Sequence, residues 1–203
     1  MTDYKLQKVI KEISDNIDLS KSYLSDSYFY NSLTLCIIDA VFSIGVNYAA
    51  VENTVKRYCK YYGIKTFRNR VETKFPSHDQ QETVISLVKK IQKLGISNFT
   101  DFVFKNRQRT SSQYGILKTE AVLKFAKVLT DHNIFTFKDI VNEKVSTLLE
   151  KKIREIPGQK SGISFKYFLM LAGNTNLIKP DRMIYRYIEN IVKDKLSEEE
   201  IIN

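Results

Sequence analysis

Apolar residues recur three and four positions apart along most of the chain, and this spacing predicts an all-α fold. Residues at that spacing fall on one face of a helix, so a repeated apolar stripe indicates a helix packed against a core. The predicted helices span residues 3–14, 33–45, 50–63, 82–95, 97–106, 117–133, 136–142, 144–156, 163–173 and 182–192. Polar loops are predicted at 65–81 and 108–115. The low content of turn-forming residues, 7 Gly and 3 Pro, also favours long helices.

The most apolar of these segments is LTLCIIDAVFSIG, residues 33–45. It is predicted to be a buried central helix because it is apolar on nearly every side. Asp39 interrupts it. An isolated acid in such a helix is either a charge on the helix surface or a buried carboxylate that faces a functional cleft. The sequence leaves both interpretations open.

The chain is basic, and its charge indicates a polyanionic partner. It has 203 residues, typical of one domain or of one domain in two lobes, and a formal net charge of +9. This balance favours nucleic acid as the partner, although a solvated basic surface gives the same composition. Four basic residues near the predicted loop 108–115 are candidates for phosphate contacts, with a solvated loop as the alternative: Lys105, Arg107, Arg109 and Lys118.

The cysteine and histidine content argues against a disulfide framework and against a metal site. The only such residues are Cys36, Cys59, His78 and His132, and their positions show no ligand spacing. We therefore expect no metal and no cofactor.

The N-terminus lacks the apolar run of a signal peptide, and the longest apolar segment, 33–46, is too short to cross a bilayer. A cytoplasmic protein without a membrane partner is expected.

Residues 144–173 carry the strongest local pattern, two predicted helices joined by the turn PGQKSG. Pro157 sets φ for a tight turn, and Gly158 and Gly162 can adopt positive φ. Such a turn directs backbone N–H groups outward at the start of the next helix, where the helix dipole favours a phosphate. Basic residues are concentrated in this region: Lys151, Lys152, Arg154, Lys160 and Lys166. The pattern favours binding to a nucleic-acid backbone in a way that does not depend on base sequence. An ordinary helical hairpin with a basic face is the alternative.

The stretch IPGQKSGIS followed by KPDRMIYR resembles the hairpin and catalytic aspartate of the helix-hairpin-helix base-excision DNA glycosylase superfamily. That superfamily includes endonuclease III-like, adenine-mismatch and alkyladenine glycosylases. The spacing of 25 positions from Ile156 to Asp181 is also similar to that of the family. Two further segments follow the family order, LTLCIIDAVFSIGVNYAAVENTVKRY at 33–58 and YGILKTEAVLKFAKVL at 114–129.

The resemblance implies a two-lobed helical bundle with a helix-hairpin-helix motif, forming a single glycosylase-like domain over residues 1–203. In that arrangement residues 33–130 form a central lobe. Residues 1–32 and 134–203 form a second lobe that carries hairpin 156–162 and Asp181. The resemblance also implies a monomer that binds double-stranded DNA and is associated with the nucleoid.

The resemblance further implies roles for particular residues. Asp181 is the expected catalytic carboxylate, which activates the nucleophile or stabilises positive charge on the sugar as the glycosidic bond breaks. The target base must first leave the duplex. The expected DNA contacts are Gly158, Gln159, Lys160, Ser161, Gly162, Lys166 and Arg182. The residues expected in the base pocket or as a wedge are Asp39, Asn47 and Tyr48.

Four features depart from the family pattern. Strand-cleaving members carry a Schiff-base lysine where this chain has Gly162 or Ser164, which favours a monofunctional, water-using reaction. Gly45 stands near the position of the family's gap-filling glutamine, and Lys160 replaces the second hairpin glycine or displaces it to Gly162. Two cysteines cannot hold a four-cysteine iron–sulfur cluster. These departures indicate a divergent branch without the cluster.

Two alternative functions remain open from the sequence. A protein that kept the hairpin and lost the chemistry is a non-catalytic helix-hairpin-helix DNA-binding protein. In that case Asp181, which follows Pro180, serves only as the N-cap of helix 182–192. The other alternative is a helical interaction protein without a nucleic-acid partner.

Overall fold

The structure, a computed structural model, describes residues 2–18, 25–69, 75–142, 147–174, 182–197 and 200. In this part of the chain every regular element is helical. In the same residues, β-type pairing is limited to two isolated bridges, Tyr30 with Phe67 and Arg109 with Leu117. The all-α prediction is therefore confirmed for the described residues.

Each predicted helix has a helical counterpart, and segment 97–106 is divided between the α-helix Ile96–Asn98 and the π-helix Phe99–Phe104. The other described ends lie within three residues of the prediction, and residues 144–146 of the predicted helix 144–156 lie outside the described residues. The α-helices in the described ranges are α1 Asp3–Asn16, α2 Leu33–Phe42, α3 Tyr48–Tyr62, α4 Val84–Leu94, α5 Ile96–Asn98, α6 Lys118–Asp131, α7 Phe137–Asn142, α8 Thr147–Arg154, α9 Ile163–Leu171 and α10 Arg182–Val192. Short 3-10 helices at Asp26–Tyr28 and His78–Gln80 and a π-helix at Phe99–Phe104 complete these elements. None of the described helices has the length and apolarity needed to cross a bilayer.

The ends of helix α3 follow from its sequence. The side chain of Asn47 accepts a hydrogen bond from the backbone N–H of Ala49 at 3.0 Å, which satisfies one of the free donors of the first turn. At the other end Gly63 adopts φ +64, the left-handed conformation that glycine commonly adopts at the C-cap of a helix. These two caps fix where the chain enters and leaves α3.

Helix α2 is the centre of the core, as its apolar composition predicts. All ten of its residues are buried. It packs against α3, α6 and α9, while α4 packs along α6. Helix α2 therefore supports both the turn that leads into α3 and the helix that follows the PGQKSG turn.

Helices α1 and α10 pack against each other at the periphery. Lys5 Nζ lies 2.6 Å from Asp194 Oδ2, an ion pair that joins α1 to the residues just after α10. Both helices belong to the predicted second lobe. The division of the chain into two lobes stays a prediction.

Candidate nucleic-acid interface

The hairpin turn, residues 155–162, joins α8 to α9 through two consecutive tight turns. Gln159 N donates to Ile156 O at 2.9 Å, and Gly162 N donates to Gln159 O at 3.0 Å. Gly158 has φ +86 and Gly162 has φ +79, which confirms the positive φ predicted for both glycines. Helix α9 begins directly after Gly162. The segment thus forms the helix, tight turn and helix that the sequence predicts.

The side chains of the hairpin turn divide between surface and core. Gly158, Lys160 and Ser161 are exposed, while Gly162 is buried. Gln159 is only 1% exposed, so its side chain packs beneath the turn and does not form part of the surface that was predicted to contact DNA.

The remaining predicted residues of this region are placed as follows. Lys166 on α9 is half-buried. Arg182 is the first residue of α10, and its side chain lies outside the described part of the chain. Asp181 also lies outside the described residues. On α8, Arg154 Nε donates to Lys160 O at 2.9 Å and therefore holds the hairpin turn against the helix that precedes it.

Residues 108–117 form a second ordered loop, which the backbone closes on itself. Thr110 N donates to Ile116 O at 2.9 Å, and Arg109 Nη1 donates to Gly115 O at 2.6 Å. Tyr114, near the tip, is fully exposed and has φ +57. A non-glycine residue at positive φ is uncommon, so the loop holds this side chain outward at some conformational cost.

The two loops touch. A Cβ added to Gly158 would lie 2.3 Å from Thr110 Cβ, so the glycine is needed for the close approach of the hairpin turn to loop 108–117. On its other side the loop faces the turn after α2. An open depression of about 460 Å³ lies between them, lined by residues 44–46, residues 108–112 and Lys118. We call residues 43–47, 108–117 and 155–162 together the composite face.

Lys118 is not a surface residue, contrary to its assignment as a candidate phosphate contact. It is 2% exposed, and its Nζ donates to Phe42 O and to Ile44 O, both at 2.8 Å. Of the other three candidates, Arg107 forms a two-bond ion pair with Asp101, while Arg109 and Lys105 are exposed. The loop therefore offers fewer cations to a ligand than its sequence suggests.

The two predicted wedge residues lie at the start of α3. Asn47 is exposed, and its side chain caps the helix as described above. Tyr48 is 39% exposed. Gly45, near the position of the family's glutamine, has φ +69 and contributes no side chain. Tyr114, which the sequence analysis did not single out, is the one aromatic residue of the composite face, and it is fully exposed.

Asp39 is fully buried in α2, so the interpretation of a surface charge is wrong. Tyr30 Oη donates to Asp39 Oδ2 at 2.8 Å, and Tyr167 of α9 also hydrogen-bonds to the Asp39 side chain. Burial, followed by the Asp39 carboxylate, raises the pKa of both tyrosines above the ordinary value. The hydroxyls stay protonated and act as donors to the acid. The cluster ties α2, α9 and the segment before α2 together.

The free energy of unfolding is expected to fall above about pH 10 because of these tyrosines. An unfolded tyrosine loses its proton near its ordinary pKa of about 10, whereas the folded protein keeps the proton to higher pH. The unfolded state then binds fewer protons. The contribution of the two tyrosines to the free energy of unfolding is therefore fully present below that pH. Above it, the free energy of unfolding declines by about 1.4 kcal/mol per pH unit for each tyrosine. Urea unfolding between about pH 8 and about pH 11 measures the decline.

Tyr30→Phe should make this decline less steep, since it removes one of the titrating groups. Tyr4→Phe is the matched control, because Tyr4 is 78% exposed and its removal should leave the slope as it is. Equal slopes for the wild type and Tyr30→Phe would contradict the assignment of Tyr30 as a buried donor to Asp39.

The chain belongs to the protein family described as "Domain of unknown function (DUF8548)", whose profile matches residues 7–202. No curated protein and no solved structure gives a significant match. The family match includes all three segments of the composite face.

Proposed function

We propose that this protein binds double-stranded DNA through the composite face and acts on it as a monofunctional DNA glycosylase of a divergent helix-hairpin-helix branch. The observation that carries the proposal is the meeting of the hairpin turn, loop 108–117 and turn 43–47 on one surface. These segments are far apart in sequence. Each contains residues that the sequence alone assigned to phosphate contacts or to the base pocket.

The composite face offers the groups that a nucleic-acid backbone requires. Lys160 and Arg109 are exposed and contribute positive charge from the hairpin turn and from the loop. The exposed backbone at Gly158 permits close approach of a phosphate. Tyr114 can stack against an unpaired base, a contact that depends little on sequence. Binding of this kind is strong at low salt and weakens as salt is added.

The catalytic part of the proposal rests on Asp181 and on the sequence resemblance. Asp181 comes directly before the first residue of α10 and 25 positions after Ile156. Cleavage of an N-glycosidic bond passes through a state with positive charge on the sugar, which a nearby carboxylate stabilises. Gly162 or Ser164 stands where strand-cleaving members carry a lysine, so water is the proposed nucleophile.

A non-catalytic DNA-binding protein is the second candidate function, and the turn 43–47 favours it. Gly45 has no side chain, and Asn47 uses its side chain to cap α3. Neither residue is therefore ready to fill the gap that a flipped base leaves in the duplex. Such a protein binds duplex DNA in a salt-dependent manner and leaves every base in place.

A single-turnover base-excision assay tests the proposal. The purified protein is mixed with duplexes that carry alkylated, oxidised, deaminated, mispaired or hypermodified bases, and each reaction is divided into portions with and without alkali. Strand breaks that require alkali are expected, because a monofunctional enzyme leaves an intact strand with a missing base. Duplex binding without breaks on any substrate would support the non-catalytic protein. Absence of binding even at low salt would contradict both candidates.

A further inference from the structure

A buried lysine connects two of the three segments of the composite face. The Nζ of Lys118 donates to the carbonyl oxygens of Phe42 and Ile44, at the end of α2 and in the turn that follows. The backbone N–H of the same residue donates to Gln108 O at 2.9 Å, at the start of loop 108–117. Its side chain therefore holds turn 43–47, while its main chain holds the loop.

The end of α2 is a favourable place for a buried ammonium group. The last carbonyls of a helix have no donor within the helix, and the helix dipole places partial negative charge on them. Phe42 is the last residue of α2, so its carbonyl is one of these acceptors. Hydrogen bonds between a charged donor and such carbonyls are stronger than neutral ones. Loss of the donor would leave buried acceptors unsatisfied, which is costly.

We propose that Lys118 is a positioning residue, which fixes turn 43–47 against loop 108–117 and so preorganises the composite face for DNA. This inference rests on the proposed DNA binding. It assigns Lys118 a role other than phosphate contact, because the residue is only 2% exposed and its Nζ already donates to two main-chain carbonyls. A binding conformation that is only partly populated weakens affinity in proportion to its population.

Lys118→Met tests, without DNA, whether Lys118 fixes turn 43–47 against loop 108–117. Lys124→Met is the matched control, because Lys124 lies on the same helix with its side chain 45% exposed and paired with Glu120 at 3.0 Å. Hydrogen exchange is followed by mass spectrometry at a temperature where circular dichroism shows both variants to be folded. In Lys118→Met we expect faster exchange confined to residues 43–48 and 106–117, and no such change in Lys124→Met.

Duplex affinity measured over a range of salt concentrations tests whether this contact preorganises the composite face for DNA. If the competent population of Lys118→Met falls to about a tenth, its affinity falls about tenfold, while the slope of log affinity against log salt stays that of the wild type. Lys160→Met removes an exposed lysine of the hairpin turn and should instead reduce that slope by about 0.9, the value for one phosphate.

Three results would overturn the inference. The first is unchanged exchange of the two segments in Lys118→Met, and the second is an increase that is equal in all helices. The third is a reduced salt slope, since that would make Lys118 a phosphate contact. If the wild type binds no duplex at all, the proposed function fails, and the exchange pattern still decides whether Lys118 holds the two segments together.

Discussion

Asp181→Asn is expected to stop base excision and to leave duplex binding unchanged. Asn has nearly the shape of Asp but no charge, so it neither activates water nor stabilises the positive charge that develops on the sugar. Loss of one such electrostatic contribution lowers a rate by about a hundredfold or more. The measurement is the single-turnover rate of alkali-dependent strand breaks on whichever duplex the wild-type protein cleaves.

This substitution also separates catalysis from helix capping. Asn is as good an N-cap as Asp, so a residue whose role is only to begin α10 should tolerate the change. Asp194→Asn is the control, since Asp194 pairs with Lys5 beyond the far end of α10 and should keep the wild-type rate. Excision that survives in Asp181→Asn would refute the catalytic assignment and leave the cap as the role of this residue.

Gly158→Ala is expected to lower the free energy of unfolding by about 2–5 kcal/mol, the sum of two separate costs. Its φ of +86 is unfavourable for any residue with a Cβ, by about 1–2 kcal/mol. The new methyl group would also lie 2.3 Å from Thr110 Cβ, and overpacking of this kind costs about 1–3 kcal/mol. Urea unfolding measures the total. Duplex affinity should fall as well, because this contact joins the hairpin turn to loop 108–117.

Gly63→Ala is the matched control for the backbone cost alone. Gly63 has φ +64, and a Cβ added there meets nothing within 4 Å. Thr110→Gly in the Gly158→Ala background should recover the stability that overpacking costs, since it removes the side chain that the alanine would contact. If Gly158→Ala is no less stable than Gly63→Ala, the hairpin turn and loop 108–117 are not in close contact at Gly158.

The helices were predictable because their apolar spacing is a local property of the sequence. Helix α10 ends at Val192, as predicted. Helix α2 was predicted to continue to Gly45, since Ile44 extends the apolar pattern, yet it ends at Phe42. Lys118, 76 residues further along the chain, binds the carbonyl at this point. The π-helix Phe99–Phe104 was not predicted either, because a short apolar run does not distinguish a wider helical turn from an ordinary one.

The candidate site was predictable in its parts but not in its assembly. The turn PGQKSG and its two glycines were identified from residue types that act locally. Lys118 was assigned as a candidate phosphate contact because it flanks the polar loop 108–115, and only the tertiary structure shows it buried. For Asp39, burial in an apolar helix implies that donors must exist. The sequence does not identify Tyr30 and Tyr167 as those donors, because both come from other elements.

The composite face cannot form from any fragment that lacks one of its three segments. During synthesis the composite face can assemble only after residue 162 has been added and α9 has packed on α2, since domains generally fold as units. A nascent chain therefore has no assembled surface with which to engage DNA. In the mature protein, the affinity for a duplex should disappear in the same cooperative transition as the helical signal. The proposed DNA binding would thus report on completion of the tertiary structure and not on the presence of the hairpin alone.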